Sequence, residues 1–373
     1  MGMVSMMVSV FSRRALAGYV WIVTSLVSIG FISFGVWVHH MFATGLPALA
    51  LAFFSAVSLL ITIPSGVQFF AWIVTMWKGT VQLTVPMLFT LGFFFIFLLG
   101  GISGVMVSIL PFDWAVTDSY FIVAHFHYVL NGAVVFPIFA AIYYWMPKMT
   151  GRMLSDRLGK LSFWVMFIGF NLTFFPMHIL GILGMPRRVW TYNNGLGWDS
   201  LNLIVSIGSV VFGLGTGITL LNWALSMWRG RRAPADPWAA DSLEWAVSSP
   251  PPEYNFARIP VVESRHPLWE GGVAPAIPAL ADVDGHAVEP SVQSLALEGA
   301  FDKTSTVTSG RDTRPEDVLD IPEPTVVPLV LAFGLLVFFI GLLIDAGAVG
   351  IVGVVLAGAA LLRWVWRSDT DPR

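Results

Sequence analysis

Long apolar runs decide what this chain can fold into. Six fall near residues 15–38, 48–76, 84–110, 119–147, 159–183 and 200–227, and two more near 326–344 and 348–366. At 1.5 Å per residue, each is long enough to cross a bilayer core of about 30 Å as a helix. The composition agrees: 56% of the residues are hydrophobic, only 12% are charged, and the mean hydropathy is +0.76. The expected fold class is therefore an all-α integral membrane protein in a lipid bilayer. The net charge of −3 gives no footing for nucleic acid. The absence of cysteine rules out disulfides and thiolate metal sites, so any metal must be held by histidine or oxygen. The start of the chain does not read as a cleavable signal, because Arg13 and Arg14 precede a long run with no small-residue cleavage site after it.

Charge divides the chain into unlike parts. No glutamate precedes Glu244, and 16 of the 23 acidic residues lie between 229 and 324. That stretch also carries Pro250 to Pro252 and lacks a long apolar period, so it reads as an irregular cytoplasmic linker. Trp238, Trp245, Tyr254, Phe256 and Trp269 are candidates to anchor its first part, while 280–324 reads as flexible. The expected division is 1–228 for the six-helix core, 229–324 for the linker and 325–373 for a two-helix transmembrane hairpin.

Basic residues set the orientation. With both termini in the cytoplasm, Arg13, Arg14, Lys78, Lys148, Arg152, Arg157, Lys160, Arg229, Arg231, Arg232, Arg363 and Arg367 all fall inside, as the positive-inside rule requires. Arg187 and Arg188 fall outside. A pair that defies the bias is a candidate for holding an anionic cofactor group through forked guanidinium bonds, against the plainer alternative of a solvated loop pair. The same topology brings His39, His40, Asp113, Asp118, His125, His127 and His178 to the outer level.

His125 and His127 lie inside the fourth run. Ionisable residues inside a membrane are costly and mark function by default. Two residues apart on a helix, they point about 200° from each other, so they suit two centres, one on each flank. Neutral imidazole is a common axial ligand of haem iron. The bland alternative is two histidines bonded to neighbouring helices. His39 and His40 are about 100° apart and reach one metal only where the helix end is distorted; Gly45 and Pro47 supply such an end.

These residues sit in motifs that together resemble haem-copper oxidase subunit I, in the cytochrome c oxidase branch of aerobic bacteria. Trp37 to Phe42 resembles its copper-ligating turn, Thr117 to Leu130 its two-haem helix, Asn171 to Arg188 its propionate-binding end, and Asp241 to Asn255 the tail after its last core span. The likeness covers about residues 8–270. It implies that His125 is the axial ligand of the high-spin haem and His127 one ligand of the low-spin haem. It implies that His39 and His40 ligate copper, the CuB of the family, and that Arg187, Arg188 and Asp113 lie at haem propionates. Phe126 would lie on the electron route between the haems. Asp118 matches a magnesium ligand, but Thr117 stands where the family has a second ligand, a histidine, so that site is not expected to be complete. The implied activity is proton-translocating reduction of oxygen to water, with two haems of the a type. The implied partners are cytochrome c, oxidase subunits II and III, and an N-terminal half of subunit I. The implied location is the bacterial inner membrane.

The resemblance begins at the family's seventh span. The remaining ligands and the acidic proton carrier are therefore expected on an N-terminal half, and this chain alone is not expected to turn over. Gln68 stands where the family has a proton-path lysine, leaving Ser58, Thr62 and Ser65 either as a hydroxyl path or as packing groups. Two other readings follow. One is a non-catalytic remnant or assembly subunit. The other is a nitric oxide reductase relative, which typically needs a carboxylate for its second iron, and no suitable one is visible in the sequence.

Overall fold

The computed structural model describes residues 1–252, 255–256, 260–262, 264–270, 273–274, 304–308, 315–320 and 325–365. It divides into two units, Met1–Glu298 and Gly299–Arg373.

The first unit is a helical bundle. Its order is α1 (Gly2–Ser12), α2 (Tyr19–Val36) ending in a 3-10 turn (Trp37–Met41), α3 (Ala48–Leu60), α4 (Thr62–Trp77) and α5 (Val85–Ser108). Then come α6 (Leu110–Val116), α7 (Tyr120–Leu130), a π-helical turn (Asn131–Val135), α8 (Phe136–Thr150), α9 (Asp156–Ile182) and α10 (Asp199–Arg229). Joined where they run on, these make six segments long and apolar enough to cross a membrane: Tyr19–Met41, Ala48–Trp77, Val85–Ser108, Tyr120–Thr150, Asp156–Ile182 and Asp199–Arg229. They match the six expected core spans.

Helix α1 was not expected. Its eleven residues are too few to span a bilayer, but Val4, Met7, Val8 and Phe11 recur at helical spacing and are fully or almost fully buried. The helix stops at Arg13, which adopts a left-handed conformation with φ 53°. The Arg13 guanidinium then ties α1 to the carbonyls of Trp238 and Ala239 and to Gln82.

The core of this unit is aromatic. Phe89, Phe93, Phe136 and Phe170 are fully buried between α5, α8 and α9. Glycines set how close the helices come. Gly181 of α9 lies so near α7 that a Cβ there would sit 2.0 Å from the backbone nitrogen of Phe121, and Gly132 in the π turn would put one 2.4 Å from Ile96. No side chain larger than hydrogen fits at either crossing.

The first part of the linker is ordered against the bundle. Lys148, 5% exposed, donates to the carbonyls of Ala235, Val247 and Ser248. Trp238 donates to the Tyr144 carbonyl, and Trp245 is buried. His266 pairs with Asp241, and Trp269 donates to the carbonyl of Ala239. The linker is thus less irregular than expected, because a buried lysine and two indoles give a polar backbone specific partners. A two-residue strand pair, β1 (Val261–Val262) with β2 (Val273–Ala274), belongs to it. Tyr254 and most of 280–324 lie outside the described residues.

The second unit pairs β3 (Thr304–Thr308) with β4 (Pro315–Asp320) and α11 (Val327–Leu343) with α12 (Gly347–Val365). Gly334, Gly341 and Gly353 bring the two helices into backbone contact, as expected of a packing hairpin. Gly347–Trp364 is long enough to span; α11, at 17 residues, is apolar but shorter.

Gln68 of α4 is fully buried, and neither atom of its amide has a hydrogen-bond partner among the described residues. The nearby hydroxyls do not line up toward it: Ser58, Thr62 and Ser65 donate to carbonyls of Phe54, Leu59 and Ile61. A buried amide without partners costs about 1–3 kcal/mol. Replacing Gln68 by Leu is expected to raise the thermal midpoint of the detergent-solubilised protein; an unchanged or lower midpoint would show that the amide has a partner. Gly181→Ala is expected to destabilise by about 1–3 kcal/mol or more, because backbone rather than a flexible side chain blocks the added methyl. The same melting experiment reads it.

Candidate functional site

Helix α7 starts at Ser119, whose hydroxyl accepts from the backbone N–H of Phe121. It buries Phe121, Ala124 and Tyr128, and this stripe packs on α9. His125 and His127 therefore fall on either side of the buried stripe. His125 turns to α5, where its Nδ1 lies 2.9 Å from the Ser103 hydroxyl. His127 turns the other way: its ring stacks on Phe174 of α9 at 4.0 Å, and its Nδ1 lies 2.8 Å from the Val123 carbonyl. Phe126 adjoins the His127 ring at 4.5 Å.

These bonds determine which nitrogen carries the proton. The Ser103 hydroxyl has one proton, and it goes to the Gly100 carbonyl at 3.0 Å. Ser103 must then accept, and His125 donates from Nδ1. The Val123 carbonyl can only accept, so His127 also donates from Nδ1. Both Nε2 atoms are left with bare lone pairs, accessible and without partners among the described residues. A metal-bound histidine adopts this arrangement, its other nitrogen held by an oxygen. Gly104 stands beside the His125 ring, where a Cβ would meet Cε1 at 3.2 Å.

His39 and His40 lie in the 3-10 turn that ends α2, the distorted helix end that two adjacent ligands need. Their rings meet edge to face, with Nε2 atoms 3.1 Å apart. His39 Nδ1 lies 2.9 Å from Ser58, whose hydroxyl also donates to the Phe54 carbonyl, so His39 is held at Nδ1 while its Nε2 faces His40. A separation of 3.1 Å suits two bonds of about 2.0–2.1 Å to one ion. It also suits a hydrogen bond from His40 to His39. The Trp114 indole donates to the Phe42 carbonyl and ties this turn to α6.

The loops before α7 and after α9 close over this level. The Tyr120 N–H donates to Met185, and the Arg187 N–H donates to Asp118, forming a short antiparallel bridge between Ser119 and Pro186. Asp118 and Arg188 adopt positive φ of 57° and 67°, uncommon for residues with a Cβ. Arg187 Nε donates to Asp118 Oδ1 at 2.8 Å. The guanidinium expected to hold an external anion thus holds Asp118, while Arg188 has no carboxylate partner among the described residues. Asp113 is buried on α6, and burial, with Asp118 nearby, pushes its carboxyl up to about 6.

His39, His40 and His178 each lie within electrostatic reach of His125, and His40 within reach of Arg187. Among the described residues, however, no three histidine or acidic side chains converge closely enough to enclose a metal ion on their own. Sequence reasoning did not single out Ser103. It noted Ser58 only for a hydroxyl path, although a serine one turn from a histidine-bearing neighbour gives no pattern in sequence. His178 packs its ring on Phe121 and Tyr128 of α7, at 5.0 and 5.3 Å.

Six apolar segments of membrane length in the first unit, one of them carrying two imidazoles on opposite flanks beside a two-histidine turn, make this a multi-pass membrane protein. The model of the family described as cytochrome c and quinol oxidase polypeptide I matches residues 1–211, and the chain belongs to that family. A probable cytochrome c oxidase subunit 1-beta of Nocardia farcinica is 48% identical over 271 residues, 72% of this chain and 46% of that one. Cytochrome c oxidase subunit 1 of Bacillus sp. strain PS3 is 40% identical over 371 residues, 98% of this chain and 55% of that one. A chain of a heme-copper terminal oxidase dimer solved by cryo-EM shares the fold, with TM-score 0.55, 17% identity, 62% coverage of this chain and 46% of that one. The chain spans about half the length of the curated relatives it matches.

The Asp113 carboxyl yields a pH test. With its folded value raised, the native state holds a proton that the unfolded chain releases, so stability falls as pH rises from the ordinary carboxylate range through about 6. Asp113→Asn is expected to flatten thermal midpoint against pH in that window. An unchanged slope would mean that Asp113 is solvated.

Proposed function

We propose that the chain is the C-terminal half of subunit I of a respiratory terminal oxidase, reducing oxygen to water with electrons from cytochrome c and translocating protons when an N-terminal half completes it. One observation carries the reading: His125 and His127 present Nε2 atoms without partners among the described residues on opposite flanks of one helix, and the His39 and His40 Nε2 atoms face each other at 3.1 Å in the turn that ends α2. Two haems and a copper ion, when bound, supply the electron transfer and the cleavage of the O–O bond.

The chain's own residues hold and orient. Ser103 and Ser58 fix the tautomers of His125 and His39, so each ring meets an iron or copper ion as a neutral ligand without reorganising. Phe174 stacks on His127 and limits its rotation. Phe126, between the two ligands and against the His127 ring, would lie on the electron route between bound haems. Arg188 is placed to take an acidic haem substituent, and Asp113 can share a proton with one, its raised value keeping it partly protonated near neutrality. With Asp118 engaged by Arg187, magnesium is not part of this reading. Subunits II and III, haem a type and a bacterial inner-membrane location with both termini cytoplasmic belong to it.

The test is co-expression with a chain carrying the first six spans, followed by optical spectra and oxygen uptake. Two haem signatures and uptake are expected. His127→Leu should remove the low-spin band and spare the high-spin one, and His125→Leu the reverse. Ser103→Ala should loosen retention of the His125 haem by about ten- to a hundredfold. An assembled complex with no haem bands would leave the non-catalytic assembly role standing instead.

A further inference from the structure

Two segments far apart in sequence meet at the end of the first unit opposite the histidines. The Met153 N–H donates to Arg231 at 2.8 Å, the Ala233 N–H donates to Gly151 at 2.9 Å, and Arg152 and Arg232 pair as an antiparallel bridge. The Arg152 side chain reinforces the join by donating to the Gly230 carbonyl at 2.9 Å. Gly230 is needed there, since a Cβ would lie 2.4 Å from Ser226 O and 2.7 Å from Met153 O.

The consequence is electrostatic. The join gathers the exposed side chains of Arg157, Arg229, Arg231 and Arg232 at one corner, where α9 begins and α10 ends. None of the four has a carboxylate within ion-pair distance among the described residues. The acid beside them, Asp156, is taken by Lys160 at 2.8 Å. Folding thus concentrates positive charge without its counter-charge, which is unfavourable unless an anion is supplied from outside. Arginine forks match phosphate oxygens. The corner also lies at the membrane boundary: Trp228, next to Arg229, is 74% exposed, and Trp164, two turns into α9, is 52% exposed. Exposed indoles at the polar end of a spanning helix mark the headgroup level.

We propose that this corner binds the phosphodiester headgroup of an anionic phospholipid, with the acyl chains lying against α9 and α10 beside Trp164 and Trp228. A free phosphate offers the same charge but no apolar part for the indoles, so the lipid is the ligand. The proposal is independent of the oxidase reading.

The test is thermal unfolding of the full chain in neutral detergent, titrated with phosphatidylglycerol, phosphatidylcholine or inorganic phosphate. Phosphatidylglycerol alone is expected to raise the midpoint, less so at high salt. The backbone makes the bonds of Arg231 and Arg232 in the join, so glutamine at these positions leaves it intact. The half-saturating lipid concentration is expected to rise about fivefold for each of Arg157→Gln, Arg229→Gln, Arg231→Gln and Arg232→Gln, read singly so that folding is preserved. The control Lys78→Gln with Arg363→Gln should respond like the wild type. Equal losses in the control would reduce the effect to general surface charge and overturn the site. An equal response to inorganic phosphate would overturn the lipid assignment, and unchanged titrations in all four variants would overturn both.

Discussion

The turn of an α-helix, 3.6 residues, is the constraint on which this structure depends. It separates His125 from His127 by more than half a revolution, so a single packed stripe can lie between them. Phe121, Ala124 and Tyr128 form that stripe, and α9 covers it. Once α9 is seated, one imidazole must face α5 and the other must lie along Phe174. Neither can cross to the other side without unseating the helix. The close approach at Gly181 makes that seating specific, because contact with backbone at Phe121 leaves no room to slide. Packing, not the histidines themselves, decides that there are two separate flanks.

Hydrogen bonding then refines what packing begins. Imidazoles at membrane depth are expensive when unsatisfied. Each of the two rings on α7 is half satisfied: one nitrogen has an oxygen partner from its own bundle, and the other has none among the described residues. Full satisfaction would have made them structural. Leaving Nε2 without a partner on both α7 rings, while a carbonyl or a serine holds Nδ1, is a pattern a purely structural role does not need. Gln68 shows the contrasting case. Its amide is buried with no partner at either end, and it touches no exposed flank where a ligand could reach it. A burden of that kind stabilises nothing and serves no visible ligand.

What could be read from sequence follows from which interactions are periodic. Apolar runs of membrane length announced six core spans, and the i, i+2 histidines announced two flanks, because both depend only on helix geometry. Helix α1 was missed although Val4, Met7, Val8 and Phe11 repeat correctly, because hydropathy over a membrane-length window overlooks eleven residues. Ser103 and Ser58 were not recognised as partners of histidines for a different reason. They act across helix pairs, and nothing local distinguishes them from serines that merely bond their own helix. Arg187 illustrates a third limit. Its break with the positive-inside pattern suggested an anionic partner, but sequence could not point to Asp118, a residue brought to it only when the loops before α7 and after α9 pair. In the linker the anchoring indoles Trp238, Trp245 and Trp269 could be named from sequence, but Lys148 could not, since it organises carbonyls about a hundred residues away.

The second unit bears on how such a chain is assembled. Within that unit the helices satisfy each other: Gly334, Gly341 and Gly353 allow backbone contact that needs no third element. Close packing of small residues is a principal source of helix association in lipid, where hydrophobic driving force between helices is absent. A pair that closes on itself in this way associates through its own backbone contact, and it carries no histidine.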